Sequence, residues 1–413
     1  MKKAGVNFLF AVIGFGAAFV WAHFARMPKY DLDLPPQDVR IYAKKSAASV
    51  AALPQTFREK YFAPWTDADL PDISTAFAMP DELKTKDYYD GRGKRHSREF
   101  IDSVIANAKG GREIPPTKGI VIMDADLRAV PSDARFYEAP SDPTFGWPFD
   151  MAIYSRLRAN TPVALRMISK DERWIAAWSF AGGTWWIKAD AVRFVADAEV
   201  KTFMKSKIMT PVVEPLFAKN RDRLFVGTLL PVINGAPARA TEHGWEAVPS
   251  DWLAEWPLPF SHEKAAEIAQ IMQGPYAWGG IEGTGRDCSQ LIQEMFAPFG
   301  LFVPRNTKGQ AERFKGVDLS EMESQDKAAA IVQNAVPFET LLYMPGHVML
   351  YVGTDADGNP AAYHALWGQK VRTQFLQETR NVVGKTIVSG LDLGSPSWLD
   401  RMQKILFLRE DGD

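Results

Sequence analysis

Only one cysteine, Cys288, occurs in the chain, so no part of the fold can be held by an intramolecular disulfide. Every domain must close its own apolar core, and 46% hydrophobic residues spread over 413 positions supply the material; a chain of this length builds about two to four domains. Lys+Arg 48 against Asp+Glu 50 leaves a net charge of −2, which gives no general attraction to nucleic acid or anionic membrane. The one basic run, "RGKRHSR" at 92–98, has no interleaved aromatics to stack on bases and reads as a solvated loop. No nucleic-acid partner is expected.

The N-terminus has a different character. Lys2 and Lys3 precede an apolar stretch from Ala4 to Ala22 broken only by Asn7, the anatomy of an export signal. Val20-Trp21-Ala22 resembles a small-residue cleavage site, while the apolar stretch is also about long enough to span a bilayer. Residues 1–28 are therefore expected to be a signal peptide or a membrane anchor. The chain is placed in the cell envelope, touching a membrane only through residues 4–22 if they are retained.

Beyond this segment the patterning divides the chain. Residues 32–115 hold a helical pattern in "SREFIDSVIANAKGG", with Phe100, Val104 and Ile105 at helical spacing and Gly110-Gly111 as its stop. Residues 116–200 change to short β-type runs such as "TPVALRMIS" and "RWIAAWSF" between Pro, Gly and Asp turns, and residues 201–257 repeat that texture. Two consecutive small barrels are the expectation. Residues 260–410 are mixed: helices over "HEKAAEIAQIMQ" and "CSQLIQEMFAPFG", the second with Leu291, Ile292, Met295 and Phe296 on one face and Gly300 as its cap, then strands in "HVMLYVG" and "AAYHALWG". The fold class is α+β.

Cys288 falls where a glycine-rich turn runs into the second of these helices. The first turn of a helix favours the thiolate, and an imidazole nearby adds to the effect. Six histidines are available, and His347 and His364 share one hairpin. If "DADG" at 355–358 is a four-residue loop, antiparallel pairing sets His364 opposite Met349, on the same face as His347. One ring can then serve the thiol as base while the other orients it. Two histidines without an HExxH pattern or a second cysteine do not complete a zinc shell, and nothing implies a metal or another cofactor.

"YAWGGIEGTGRDCSQL", "VPRNTKGQ", "MPGHVMLYVG" and "YHALWG" resemble the successive motifs of the NlpC family of cell-wall cysteine peptidases, and "VVGKTIVSGLDLG" extends the likeness. "FREKYFAPW" at 57–65 and "LRAVP" at 127–131 resemble the N-terminal clip domain and first bacterial SH3-like domain of its exported members. The resemblance implies a papain-like catalytic domain over 260–410, a clip (stabilising) domain over 32–115, and SH3-like domains over 116–200 and 201–257. It implies hydrolysis of the γ-D-glutamyl to diamino acid bond in peptidoglycan stem peptides or muropeptides, and a monomer is the separate expectation. Carried over by motif, Cys288 is the nucleophile, His347 the general base and His364 the orienting residue. Tyr276, Trp278, Asp287, Ser289 and Thr307 fall where relatives hold the D-glutamyl unit; Asp287 also reads as a helix cap, Trp278 as a packing anchor and Thr307 as a turn residue. Some relatives use a Tyr of the first SH3-like domain to require a free N-terminal L-alanine, but Gly183 and Thr184 stand in the matching segment here. A non-catalytic wall-binding protein and a thiol acyltransferase of related fold are the alternatives.

Overall fold

A computed structural model describes residues 32–43, 54–139, 146–217, 223–280, 283–372 and 378–408. Residues 1–28, where an export signal or anchor is expected, lie outside the described residues. Among the described residues no helix is long and apolar enough to cross a membrane.

Three helices lead the chain: Pro54–Thr66, Thr75–Glu82 and Arg98–Lys109. The third begins where Ser97 accepts a hydrogen bond from the Phe100 N–H and stops at Gly110, as its sequence predicts. A seven-stranded antiparallel sheet follows, built from β1 (Arg112–Val121), β2 (Ala125–Arg128), β3 (Ile153–Leu157), β4 (Pro162–Ile168), β5 (Trp174–Trp178), β6 (Thr184–Lys188) and β7 (Val192–Phe194). Its order is β3-β2-β6-β5-β4-β1-β7. After a helix at Asp197–Lys205 come β8 (Ile208–Pro211), β9 (Leu216–Phe217), β10 (Arg223–Leu224), β11 (Leu230–Ile233), β12 (Ala236–Thr241), β13 (Gly244–Ala247) and β14 (Leu253–Glu255). Five of these form a sheet of order β13-β12-β11-β8-β14, with β9 and β10 a separate pair.

The C-terminal region is mixed helix and sheet. Its six-stranded sheet has the order β15-β20-β16-β17-β18-β19, from β15 (Gly316–Asp318), β16 (Thr340–Met344), β17 (His347–Thr354), β18 (Pro360–Arg372), β19 (Glu378–Gly390) and β20 (Lys404–Phe407). The helix Cys288–Phe296 packs Leu291, Ile292, Met295 and Phe296 into one core with Val348, Leu350, Tyr363 and Ala365 of that sheet. It passes into a short 3-10 turn, Ala297–Phe299, which Gly300 ends in the left-handed conformation at φ 73°. The opposite side of the helix is buried too, so the amphipathic pattern in its sequence does not mark a solvent face.

The regions share a core as well as a chain. Phe57, Tyr61, Phe62 and Trp65 of the first helix pack with Ile120, Phe203, Trp256 and Ala297, which come from successive regions. The two indoles in that cluster are satisfied by backbone: Trp65 Nε1 donates to Gly119 O at 2.7 Å and Trp256 Nε1 to Ala297 O at 2.8 Å.

The His-bearing hairpin corrects one expectation. β17 ends at Thr354 and β18 begins at Pro360, so the loop is 355–359, five residues and not four. That extra residue would turn His364 to the wrong face. An irregularity between Tyr351 and Gly353 absorbs it, and beyond that point Leu350 pairs with Tyr363. One step further along, His364 faces Met349, in the expected register.

Candidate active site

The helix that carries Cys288 starts on a cap. Asp287 is its N-cap, accepting from the Gln290 N–H at 2.9 Å, and Cys288 is its first residue, 7% exposed. Upstream, Gly279 and Gly280 lie at φ 68° and 71°, a conformation that side chains resist. At Gly280 a Cβ would also meet the Gln290 amide at 2.1 Å, so the turn can lie against the helix only as glycine. The Gly279 N–H donates to Asp287 Oδ2 at 3.1 Å, which ties turn and helix together.

Asp287 has further partners. Arg305 Nη1 donates to Oδ1 at 3.1 Å and Nη2 to Oδ2 at 2.6 Å, and the Ser289 hydroxyl donates to Oδ1 at 3.2 Å. The carboxylate is thus a node that fixes the residues around the thiol. Arg305 lies in the quoted "VPRNTKGQ" run, where reasoning by motif singles out Thr307 instead. Thr307 is the first residue of a short helix, Thr307–Arg313, half-buried and capped by Asn306.

The two histidines meet directly. His347 Nε2 lies 2.8 Å from His364 Nδ1, and His364 Nε2 lies 3.1 Å from Ser389 Oγ. Hydrogen-bond roles fix the tautomers. Ser389 Oγ donates to Gly390 O at 2.8 Å, so it accepts from His364 Nε2–H. Neutral His364 then accepts at Nδ1 from His347 Nε2–H, and neutral His347 keeps its lone pair on Nδ1. The Val348 N–H donates to the Cys288 sulfur, so β17 crosses the thiol one residue from that imidazole. Ser389, in the distal "IVSG", was not singled out by sequence; its place on β19, beside His364 on β18, is the signal that topology adds.

Burial, followed by the charge of Asp287, pushes the Cys288 thiol up to about 12, against the pull of the Val348 and Ser289 N–H groups and Arg305. Burial, and then Arg401, pushes His347 down to about 3, and burial with its neighbour His347 holds His364 well below the usual imidazole range. At neutral pH both rings and the thiol are uncharged. Between 6.5 and about 3 the unfolded chain binds a proton at His347 that the folded chain refuses, so stability falls as pH drops through that window. A histidine kept neutral contributes up to about 2 kcal/mol of loss between pH 6.5 and 5, above the range where carboxylates titrate. His364→Asn is expected to flatten that limb in thermal melts at pH 5 to 7; parallel acid slopes for variant and parent would refute the assignment.

Other expected residues line the same place. Tyr276 is half-buried, its phenol held well above the usual range by burial and then by Cys288 and Asp287. Trp278 Nε1 donates to Asp150 O at 3.0 Å and its ring meets Phe149 edge-on at 5.2 Å, so it anchors the turn on the seven-stranded region. Trp367 continues the aromatic wall, 4.6 Å from Trp147 and 6.0 Å from Tyr276. Ser289 is buried, accepting from Arg305 Nη1 at 2.9 Å. Gly183 is at φ 70° with the Trp185 indole 2.7 Å from where a Cβ would stand, so no Tyr fits there. His262 pairs with Glu339 at 2.6 Å and His96 with Arg135 O at 2.8 Å, while His23 lies outside the described residues.

Comparison with known proteins agrees with this geometry. Residues 273–385 match the NlpC/P60 family, residues 16–112 the NLPC_P60 N-terminal stabilising domain, and residues 135–185 the SH3 domain of SH3b1 type. The chain is 37% identical over 128 residues to a gamma-D-glutamyl-L-lysine dipeptidyl-peptidase of Bacillus subtilis, a match that takes in 30% of this chain and 40% of that protein. An NlpC/P60 endopeptidase from Photobacterium damselae subsp. piscicida has the same fold, at a TM-score of 0.82 and 21% identity over 92% of this chain and 99% of that one. An NlpC/P60 family protein from Bacillus cereus matches at 0.50 and 14%, over 70% of this chain and 99% of its own. The chain thus carries an NlpC/P60 domain over residues 273–385, with Cys288, His347 and His364 inside it, after segments that match the stabilising domain and the SH3 domain.

Proposed function

We propose that the chain is an exported cysteine endopeptidase that hydrolyses the γ-D-glutamyl to diamino acid bond of peptidoglycan stem peptides. The observation that carries this reading is the hydrogen-bond chain from Gly390 through Ser389 and His364 to His347, which leaves Nδ1 as the proton acceptor next to a thiol at a helix start. As Cys288 Sγ bonds to the amide carbonyl carbon, the thiol proton passes to His347 Nδ1. The C–N bond then breaks, the amine leaves with that proton, and the glutamyl unit stays as a thioester. Water deprotonated by the same nitrogen cleaves the thioester and restores the thiol. Because the thiol and both rings rest uncharged, the imidazolium forms only during the reaction, and His364 Nδ1, accepting from Nε2–H, stabilises it there.

Tyr276, Trp278, Ser289 and Thr307 are the proposed substrate contacts: a protonated phenol and the Thr307 hydroxyl for the carboxylate, an indole as wall, and the Ser289 O–H, which must leave Asp287 to join them. Asp287, already holding Arg305, Gly279 and the helix, acts beside them by fixing their positions. The sheet of β8 and β11 to β14 is read as a second SH3-like domain over 201–257, after the first over 116–200 and the clip domain over 32–115. Its strands are short and set between turns, which supports that reading. Lys2-Lys3 ahead of the apolar run supports export, with the C-terminal domain, 260–410, facing the envelope as a monomer.

The test is to incubate residues 29–413 with L-Ala-γ-D-Glu-diaminopimelate peptides and with purified sacculi, and to identify the new termini by mass spectrometry. Cleavage at the γ-D-glutamyl bond is expected. Binding without cleavage would favour a wall-binding protein, and acyl transfer to a lipid an acyltransferase; either overturns the proposal. A reporter joined after Trp256 and active only in the cytoplasm would overturn its placement in the envelope.

A further inference from the structure

One strand of the seven-stranded sheet reaches the nucleophile helix at two points. Arg305 Nε donates to Ser155 Oγ on β3 at 2.6 Å. The same guanidinium spends its other donors on Asp287 and Ser289, the residues on either side of Cys288. Three residues past Ser155, just beyond the end of the strand, Arg158 donates to both oxygens of Glu294 at 2.8 Å, in the second turn of that helix. Asp287, Gln290 and Glu294 lie on one stripe of the helix, three and then four residues apart. This stripe faces β3, and the core residues face the six-stranded sheet. The nucleophile helix is therefore clamped between two domains.

We infer that Ser155 is a positioning residue for the cysteine reaction, acting from the SH3-type domain through Arg305 on the two residues that flank the nucleophile. The inference rests on Cys288 being that nucleophile. A guanidinium has a fixed fork of donors, and its three nitrogens here set one orientation. Ser155, 1% exposed, supplies the acceptor on the Nε edge. Without it that edge is buried and unsatisfied, and the guanidinium gains by turning toward another acceptor. Any turn shifts Nη1 and Nη2 off Asp287 and Ser289, moves the helix start, and leaves the Asp287 charge uncompensated beside the thiol. The SH3-type domain on this reading contributes to the chemistry and not only to the outline of the cleft.

The lone cysteine makes the test selective, because alkylation of the full chain reports on Cys288 alone. Ser155→Ala is compared with Ser169→Ala, which removes a buried hydroxyl from the turn between β4 and β5 whose bonds run to Asp171 and the Trp174 N–H. For Ser155→Ala, kcat on the stem peptide is expected to fall by on the order of tenfold or more. The midpoint of its iodoacetamide pH profile should move upward, and Ser169→Ala should change neither reading beyond its effect on melting temperature. Parental kcat and alkylation profile in Ser155→Ala, or equal changes in the two variants, would overturn the inference while leaving the peptidase reading intact. Turnover that survives Cys288→Ala would remove the reading on which it rests.

Discussion

Replacing Cys288 by alanine is expected to abolish turnover, at least about a thousandfold down in kcat, while substrate binding stays close to that of the parent. The thiol supplies the bond-forming electron pair, and no second cysteine exists to replace it. His347→Ala should be nearly as damaging, since its Nδ1 both takes the proton and returns it to the leaving amine. His364 has a narrower task. Its Nδ1 accepts from His347 Nε2–H, which holds the ring and favours the imidazolium as it forms. An Asn side chain offers a carbonyl oxygen for that role, as in the Cys-His-Asn arrangement of other papain-like proteases, so His364→Asn should retain about ten- to a hundredfold more activity than His347→Ala. His364→Ala leaves Nε2–H with no acceptor and should fall between them. The expected order is Cys288 ≈ His347 > His364, read as kcat on the stem peptide with binding measured separately. A His364→Asn enzyme as inactive as Cys288→Ala would show that the histidine roles are reversed.

That order was readable before the fold because its determinants are local. A cap, a cysteine and an apolar helix face stand within ten residues, and two histidines within a hairpin have their relative faces set by strand alternation. Even the misjudged loop did no harm, since the irregularity near Val352 restored the register that burial of His364 requires. What escaped notice depends on residues far apart in sequence. Ser155 and Arg305 are separated by 150 positions and Arg158 and Glu294 by 136, and no periodicity encodes such pairings. The stripe of Asp287, Gln290 and Glu294 illustrates the difficulty. On a single helix it has the pattern of a solvated face, and only the arrival of β3 turns it into an interior. Arg305 is hidden for the same reason: in "PRNT" an arginine has the pattern of a surface residue, and only the fold sets it against the acid beside the thiol. Ser389 needed the pairing of β18 with β19 before its hydroxyl acquired a partner.

Truncating Glu294 to alanine should be the most destabilising single change outside the apolar core, at about 3–5 kcal/mol. Its carboxylate is the centre of a buried cluster in which Arg158 donates twice and Arg286 Nε once, at 2.6 Å, while Gln290 donates to Oε1 at 2.8 Å. Burial opposes ionisation there, but the two arginines outweigh it and hold the carboxyl down to about 2. Alanine would leave two guanidiniums facing a void. Each has a second acid: Arg286 also binds Glu214, and Arg158 also binds Asp124 at 2.7 Å, so each keeps one acid and loses the shared one. Because Asp124, Glu214 and Glu294 come from three successive regions, the loss falls on the joints between them. Replacing both members of the cross-domain pair, Arg158→Met with Glu294→Leu, removes opposite charges together and should cost less than the sum of the single changes by at least about 1 kcal/mol. Denaturant unfolding of the two single variants and the double variant measures this coupling. If Glu294→Ala falls within about 1 kcal/mol of the parent, the cluster is solvated in solution and the clamp on the nucleophile helix is weaker than its geometry implies.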